Sequence, residues 1–185
     1  HLSIGVSLEA KASAGKTSLD FQTIDQLATH FKRSNDPYKA CEYLSLLAQG
    51  LMSTFQLKAA AETLIELLDG LEKKKFIKWS EIELTQQKTG YQIKLAQVLI
   101  RSAEFKEAAS VIKTAFEAAK LLGNNQFMIR LLRLMAAIYA TKGQTDDALK
   151  TLQQALSLAK TLQSTELFVN LLADIAEVLQ QKNNL

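Results

Sequence analysis

The sequence predicts an all-α fold, a right-handed array of antiparallel helix hairpins. Apolar residues recur at helical spacing, as Leu132, Ala136 and Tyr139 do before the break at Gly143. Only one proline and seven glycines occur in 185 residues, too few for a fold rich in loops or strands. The breaks between helical patterns are a few residues long, so consecutive helices are expected to be antiparallel neighbours.

Residues 1–18 precede the first clear helical pattern, and two conformations stay open for them. Ile4, Val6 and Leu8 alternate with small or polar residues, which is typical of a short strand or an extended arm. The stretch Ser7–Ser13 equally allows a short helix, which we favour because no partner strand is predicted downstream. We therefore expect an N-terminal arm or short helix at 1–18, followed by one helical repeat domain at 19–185.

Helix boundaries within residues 19–185 are marked by capping residues. Asp36 can cap a helix that begins at Pro37, where the missing N–H of proline costs nothing. Ser80 and Glu83 have the spacing of a capping box at the start of another helix. The resulting prediction is three hairpins at about 38–75, 80–122 and 125–162, and a terminal helix at 165–181.

Alanines recur at fixed places in these hairpins. The pairs Ala48–Ala60, Ala96–Ala108 and Ala136–Ala148 are each twelve residues apart, and Ala176 begins a fourth copy. The copies are 48, 40 and 40 residues long, counted between the first alanines. Leu172, Ile175, Ala176 and Leu179 form the expected packing stripe of the fourth copy. Small residues on both helices of a hairpin let the backbones approach closely, which is typical of a repeat that stacks on copies of itself.

The third copy, with Tyr139, Gly143, Ala148 and Ala155, resembles the tetratricopeptide repeat family. The resemblance extends over about residues 38–181, although these repeats are longer than the family's ~34 residues and lack its closing proline. It implies an α–α superhelix of such hairpins that binds proteins without catalysis. Other α-hairpin solenoids and a plain helical bundle remain alternative interpretations.

In the family that this chain resembles, the first helix of each hairpin lines a concave groove, and the resemblance implies the same here. The candidate groove residues are Gln49, Lys94, Gln97, Arg101, Arg130, Arg133 and Asn170. Arg130 and Arg133 share a helix face, and with Lys94 and Arg101 they predict affinity for acidic groups of a partner. Ser45, Gln49 and Lys94 replace the Lys and Asn residues of the carboxylate clamp found in chaperone-binding relatives, so that function is not expected.

Composition excludes several other classes of function. The net charge of +3 is too small to indicate nucleic-acid binding, and no apolar run reaches the ~18 residues that a membrane span needs. A single cysteine, Cys41, suits a reducing compartment, so we expect a cytoplasmic location. Neither His1 nor His30 has partners at metal-ligand spacing, so we expect no metal site, no cofactor and no catalytic residues.

The sequence therefore predicts a non-enzymatic module that binds a partner peptide or helix. A scaffold segment of a larger assembly, or a homodimer, is the first alternative. The second is a nucleotide-dependent protein, because residues 10–17 resemble a phosphate loop that ends in Gly15, Lys16 and Thr17. That reading needs Ile4–Leu8 to be the strand before the loop.

Overall fold

The computed structural model describes residues 1–14, 20–34, 36–73 and 78–183, and every regular element within these ranges is an α-helix. The helices are α1 Leu2–Ala14, α2 Phe21–Lys32, α3 Pro37–Ser53, α4 Leu57–Lys73, α5 Glu81–Arg101, α6 Phe105–Leu121, α7 Asn125–Thr141, α8 Thr145–Thr161 and α9 Thr165–Asn183. The predicted all-α fold is confirmed. The chain divides into two compact units, His1–Tyr91 and Gln92–Leu185. The division into an arm and one repeat domain stays a prediction.

In the N-terminal unit, α1 packs on α2, α2 on α3 and α3 on α4. Ala48 of α3 and Ala60 of α4, one of the predicted alanine pairs, are both fully buried. Phe31 is also fully buried, and its ring stacks on that of Tyr43 with the centroids 5.4 Å apart. A Cβ atom at Gly5 would lie only 3.0 Å from the Phe31 ring, so glycine permits the close approach of α1 to this core.

Helix α1 decides between the two conformations left open for the N-terminus. Residues 2–14 are helical, so the strand at Ile4–Leu8 that a phosphate loop would require is not formed. The helix favoured for this stretch is the conformation formed, and it packs Gly5 against the Phe31 ring of α2. Gly15, Lys16 and Thr17 lie outside the described residues, as do Lys74 and Lys75 at the expected end of α4.

In the C-terminal unit, α6 packs on α7, α7 on α8 and α8 on α9. Its core joins residues of α7, α8 and α9: Ile129, Ala136, Ala148, Leu152, Ala155, Ala159, Leu171 and Val178. Half of these eight residues are alanines, and none of the four is more than 2% exposed. The helices therefore meet through short side chains, as the alanine spacing predicted.

The turns of the C-terminal unit recur every twenty residues with a backbone in the left-handed region. Ala103, Gly123, Gly143 and Gln163 have φ values of 61°, 62°, 73° and 50°. In the first three turns the next residue's N–H donates to the carbonyl five residues earlier, over 2.8–3.0 Å: Glu104 to Leu99, Asn124 to Ala119 and Gln144 to Tyr139. This arrangement satisfies carbonyls at the helix end and reverses the chain within three residues. Of these four positions only Gly123 and Gly143 are glycines, so only these two turns are indicated by the sequence.

The fourth copy differs from the prediction. Leu171 and Val178 are the buried residues of α9, whereas Leu172 and Leu179 are 45% and 43% exposed. The equivalents of Leu172 and Leu179 forty residues earlier, Leu132 and Tyr139, pack into the core that includes α8. Of the predicted packing stripe, Ile175 packs against the core, whereas Leu172, Ala176 and Leu179 are exposed.

Helix α5 begins with the predicted capping box. The Glu83 carboxylate accepts from the N–H of Ser80 at 2.8 Å, and the Ser80 hydroxyl accepts from the N–H of Glu83 at 3.2 Å. The backbone hydrogen bond from Ser80 is the main reason why the pKa of Glu83 lies below its usual 4.5. Since the folded pKa is depressed, the charge of Glu83 stabilises the fold above pH 4.5, and this contribution is lost as the pH falls through the folded pKa.

We predict that Glu83→Gln, which keeps an amide acceptor but removes the charge, lowers the melting temperature at pH 7. The difference from wild type should shrink below pH 4.5 as the carboxyl of the wild type becomes protonated. Thermal unfolding followed by circular dichroism between pH 7 and pH 2.5 measures it. Glu81→Gln is the matched control. Glu81 lies in the same first turn, but among the described residues the Ser80 hydrogen bonds go to the carboxylate of Glu83 and not to that of Glu81. An equal and pH-independent effect of both variants would contradict the assignment.

Candidate binding groove

A cavity of about 410 Å³ lies between α7 and α9 in the C-terminal unit, with Gln97 of α5 at its side. Helix α7 lines it with Arg130, Arg133, Ala137 and Thr141, which are three or four residues apart and share one face. Helix α9 lines it with Asp174, Glu177 and Gln181 at the same kind of spacing. We call this cavity the α7–α9 groove. Three of the predicted site residues, Gln97, Arg130 and Arg133, come together in it.

Arg133 and Asp174 form an ion pair across this groove. Nε of Arg133 donates to Oδ2 of Asp174 at 2.5 Å, and Nη2 donates to Oδ1 at 3.0 Å, so the pair is bidentate. The hydrogen bond with Asp174 raises the pKa of Arg133. Both side chains are about one-third exposed, which makes the pair stronger than one in open water. The carboxylate of Asp174 therefore balances the charge of Arg133.

Arg130 and Glu177 are the exposed charges of the same groove. Neither makes an ion pair with any residue of the described ranges. Gln97 is also exposed and offers an amide beside them. The groove thus presents one cation, one anion and neutral hydrogen-bonding groups over a floor that includes Ala137 and Ala140.

The remaining predicted residues lie elsewhere. Lys94 is half-buried on α5, and burial lowers its pKa. Arg101, the last residue of α5, is exposed but is not part of the groove lining, and the same holds for Asn170 on α9. Gln49 is exposed on α3 of the N-terminal unit. Ile93, next to Lys94 on α5, is only 3% exposed.

Asp174 is the groove residue that sequence reasoning missed. The only groove residue predicted from the fourth copy was Asn170, and Asp174 was not among the candidates. Asp174 lies 41 residues after Arg133, which is close to the 40-residue length of the repeat. The first helices of successive repeats, α7 and α9, therefore carry the two side chains at nearly equivalent positions along the helix. That spacing, together with their opposite charges, is the signal that could have identified the pair.

Comparison with known protein families identifies the kind of repeat in one part of the chain. Residues 91–161 match the tetratricopeptide repeat family. We call residues 91–161 the tetratricopeptide repeat segment after this match. The match includes the alanine pairs Ala96–Ala108 and Ala136–Ala148, and it confirms the resemblance that these pairs predicted.

Two solved structures share the fold of the chain. The apo form of RapI matches with a TM-score of 0.74 at 14% identity over 88% of this chain, which spans 57% of the RapI chain. The MamA RS-1 ArsTM double mutant matches with a TM-score of 0.50 at 14% identity, over 98% of this chain and 94% of the other. At such identities the likeness shows the fold alone, and it confirms the predicted fold class. No curated protein matches the sequence.

Helix α7, the first helix of the second hairpin in the tetratricopeptide repeat segment, carries most of the groove. Ala136, which belongs to the core shared with α8, also lines the groove three residues after Arg133. The core and the lining of the groove therefore share residues, whereas Arg130 and Ala137 are exposed in the groove. Within the described residues no helix is long and apolar enough to cross a membrane, and no three His, Cys, Asp or Glu residues gather as a metal site.

We predict a coupling free energy of about 0.5–1 kcal/mol between Arg133 and Asp174, because a bidentate, partly buried pair lies at the upper end of surface ion pairs. A double-mutant cycle with Arg133→Met and Asp174→Asn, measured by urea unfolding, gives this energy. The coupling should fall as salt is raised.

The pair Lys182–Asp146 is the matched control for this cycle. It also joins two helices, at 2.7 Å, but its side chains are 48% and 82% exposed. Its coupling should be close to zero. Equal coupling in the two pairs would show that the position of Arg133 and Asp174 in the groove has no energetic consequence.

Proposed function

We propose that the chain is a non-catalytic protein-interaction module whose α7–α9 groove binds a peptide or helix of a partner protein. The observation that carries the proposal is the groove itself, with the side chains of Gln97, Arg130 and Glu177 exposed around it. The tetratricopeptide repeat match supports an interaction or scaffold role. The binding surface within the chain is our inference.

The floor of the groove suits a close approach of partner backbone. Ala137 and Ala140 present a single methyl group each, so a peptide or helix can lie near the surface of α7. Gln97, Thr141 and Gln181 carry amide and hydroxyl groups around this floor. Such groups both donate and accept hydrogen bonds, which suits the backbone of an extended peptide or the polar side chains of a helix.

The charges of the groove change which residues we expect to contact acidic groups of a partner. Sequence reasoning combined Lys94, Arg101, Arg130 and Arg133 into one basic stretch. Arg133 instead binds Asp174, and neither Lys94 nor Arg101 lines the groove. We therefore propose that Arg130 contacts an acidic side chain or a terminal carboxylate of the partner, whereas Arg133 holds α9 in position.

Two other roles remain as alternatives, each with a distinguishing observation. A scaffold segment of a larger assembly would use the outer helix faces and would leave the groove empty. A nucleotide-dependent role would rest on Gly15, Lys16 and Thr17 alone, now that residues 4–8 are helical. We place the module in the cytoplasm, which is consistent with Cys41 being a buried thiol outside any disulfide.

We predict that Arg130→Ala weakens binding of the best ligand from an acidic peptide library by about tenfold, the loss of one charge-assisted hydrogen bond. Isothermal titration calorimetry of purified variants measures the affinity. Lys150→Ala is the matched control, since Lys150 is an exposed cation on α8 outside the groove. Arg130→Lys should retain part of the affinity.

Equal affinities for wild type and Arg130→Ala would remove Arg130 from the binding surface. A peptide that binds both Arg130→Ala and Ala137→Leu as tightly as wild type would show that the groove is not the site. Heat on titration with ATP but not with any peptide would favour the nucleotide-dependent alternative.

A further inference from the structure

A second cavity, of about 420 Å³, lies between α6 and α7 in the C-terminal unit, with Gln154 of α8 at its side. Helix α7 lines it with side chains that the α7–α9 groove does not use, among them Leu132, Met135 and Tyr139. These three residues are three or four positions apart, on the side of α7 opposite to the exposed Ala137 of the groove. We call this space the α6–α7 cavity. Helices α5 and α9 flank its three helices in sequence, so the cavity does not lie at an end of the helical series.

The lining of the α6–α7 cavity is mostly apolar. Ile112 and Phe116 line it from α6, and Leu132, Met135 and Tyr139 line it from α7. Except for Ile112, these side chains are half-buried, so they keep apolar surface that a ligand can remove from water. Two aromatic rings and a flexible thioether adapt well to apolar ligands. The volume and the lining suit a small-molecule site, which typically measures ~300–1,000 Å³ and is apolar with a few polar groups.

The charged groups of the lining favour an anionic ligand. Lys113 and Lys142 are exposed cations, whereas Glu117 is the one carboxylate among the described residues that line the cavity. None of the three forms an ion pair with another residue in the part of the chain that the structure describes, and the hydroxyl of Tyr139 has no hydrogen-bond partner there. The cavity therefore offers hydrogen-bond donors to an anionic group of a ligand.

Tyr139 and Lys142 are the donors that can act together. They are three residues apart at the end of α7, so their side chains leave the helix on the same face. Met135 and Leu132 lie about one and two turns before Tyr139 on this face, a length of about 10 Å. A ligand that lies along α7 thus meets donors at one end and hydrocarbon along the rest.

We propose that the α6–α7 cavity binds a small apolar molecule with one carboxylate, such as a medium-chain fatty acid. The hydrocarbon chain lies against Phe116, Met135 and Leu132, and the carboxylate accepts hydrogen bonds from Tyr139 and Lys142. An extended peptide suits this cavity less, because the N–H and C=O groups of its backbone need partners that a mostly apolar lining does not supply. The proposal does not depend on the function proposed for the α7–α9 groove.

Isothermal titration calorimetry with decanoate, below its micelle-forming concentration, tests the proposal. Decanoate should bind to the chain. Decyltrimethylammonium has the same hydrocarbon chain with a cationic head group, so it should bind about tenfold more weakly beside Lys142. Butyrate should also bind about tenfold more weakly or less, because it buries less hydrocarbon. Absence of decanoate binding, or equal affinity for the decanoate anion and the decyltrimethylammonium cation, would overturn the proposal.

Lys142→Met should weaken decanoate binding about tenfold through the loss of one charge-assisted hydrogen bond. Tyr139→Phe should weaken it by a smaller factor, because the lost hydrogen bond has a neutral donor. Lys150→Met is the matched control, since Lys150 is an exposed cation of α8 outside the lining. Unchanged affinity in both Lys142→Met and Tyr139→Phe would overturn the assignment of the carboxylate site.

Phenylalanine at Ala109 or at Ala137 separates this cavity from the groove. Ala109 lines the α6–α7 cavity and Ala137 lines the α7–α9 groove, so each substitution fills one site and leaves the other open. Ala109→Phe should abolish decanoate binding, whereas Ala137→Phe should leave it unchanged, with the helical fold of both verified by circular dichroism. If Ala109→Phe unfolds, Lys142→Met and Tyr139→Phe still carry the test.

Two results with these variants would overturn the proposal. One is a folded Ala109→Phe variant that binds decanoate as tightly as wild type. The other is an acidic peptide that binds wild type and Ala137→Phe but not Ala109→Phe, because the cavity would then serve a protein partner.

Discussion

Close packing through alanine is the constraint on which the C-terminal unit depends. Ala136 of α7 and Ala148, Ala155 and Ala159 of α8 are all within 2% of complete burial. A methyl side chain lets two helix axes approach closely, so larger neighbours such as Leu152 can fill the space on either side. A hairpin of this kind buries only part of its apolar surface, and the rest is covered by the adjacent helices.

The same packing builds the inner wall of the groove. Ala136 belongs to the core and also lines the groove, and Arg130, Arg133 and Ala137 extend this lining along α7. The ion pair from Arg133 to Asp174 then connects α7 with α9, so one of the two arginines supports the groove and the other is available to a partner. In α9 the equivalent positions Leu172 and Leu179 are exposed.

Local sequence was enough to predict the helices and much of their packing. Capping residues such as Asp36 and Ser80 mark helix starts through short-range hydrogen bonds, and the alanine pairs carry the register of each hairpin. The pair Arg133–Asp174 depends on how non-adjacent helices meet, which local patterns do not contain. Likewise, α9 has a packing pattern identical in kind to that of α7, and only the structure shows that nothing described covers it. Ala103 and Gln163 adopt positive φ without a glycine to indicate it.

A substitution series at Ala148 tests the central claim most directly. The free energy of unfolding should be highest with alanine, about 1 kcal/mol lower with Gly from helix propensity, and about 1–3 kcal/mol lower with Leu from overpacking. At the exposed Ala137, Leu should be close to alanine in stability, since only helix propensity acts there. An Ala148→Leu variant as stable as wild type would contradict close packing of α7 and α8 through small residues.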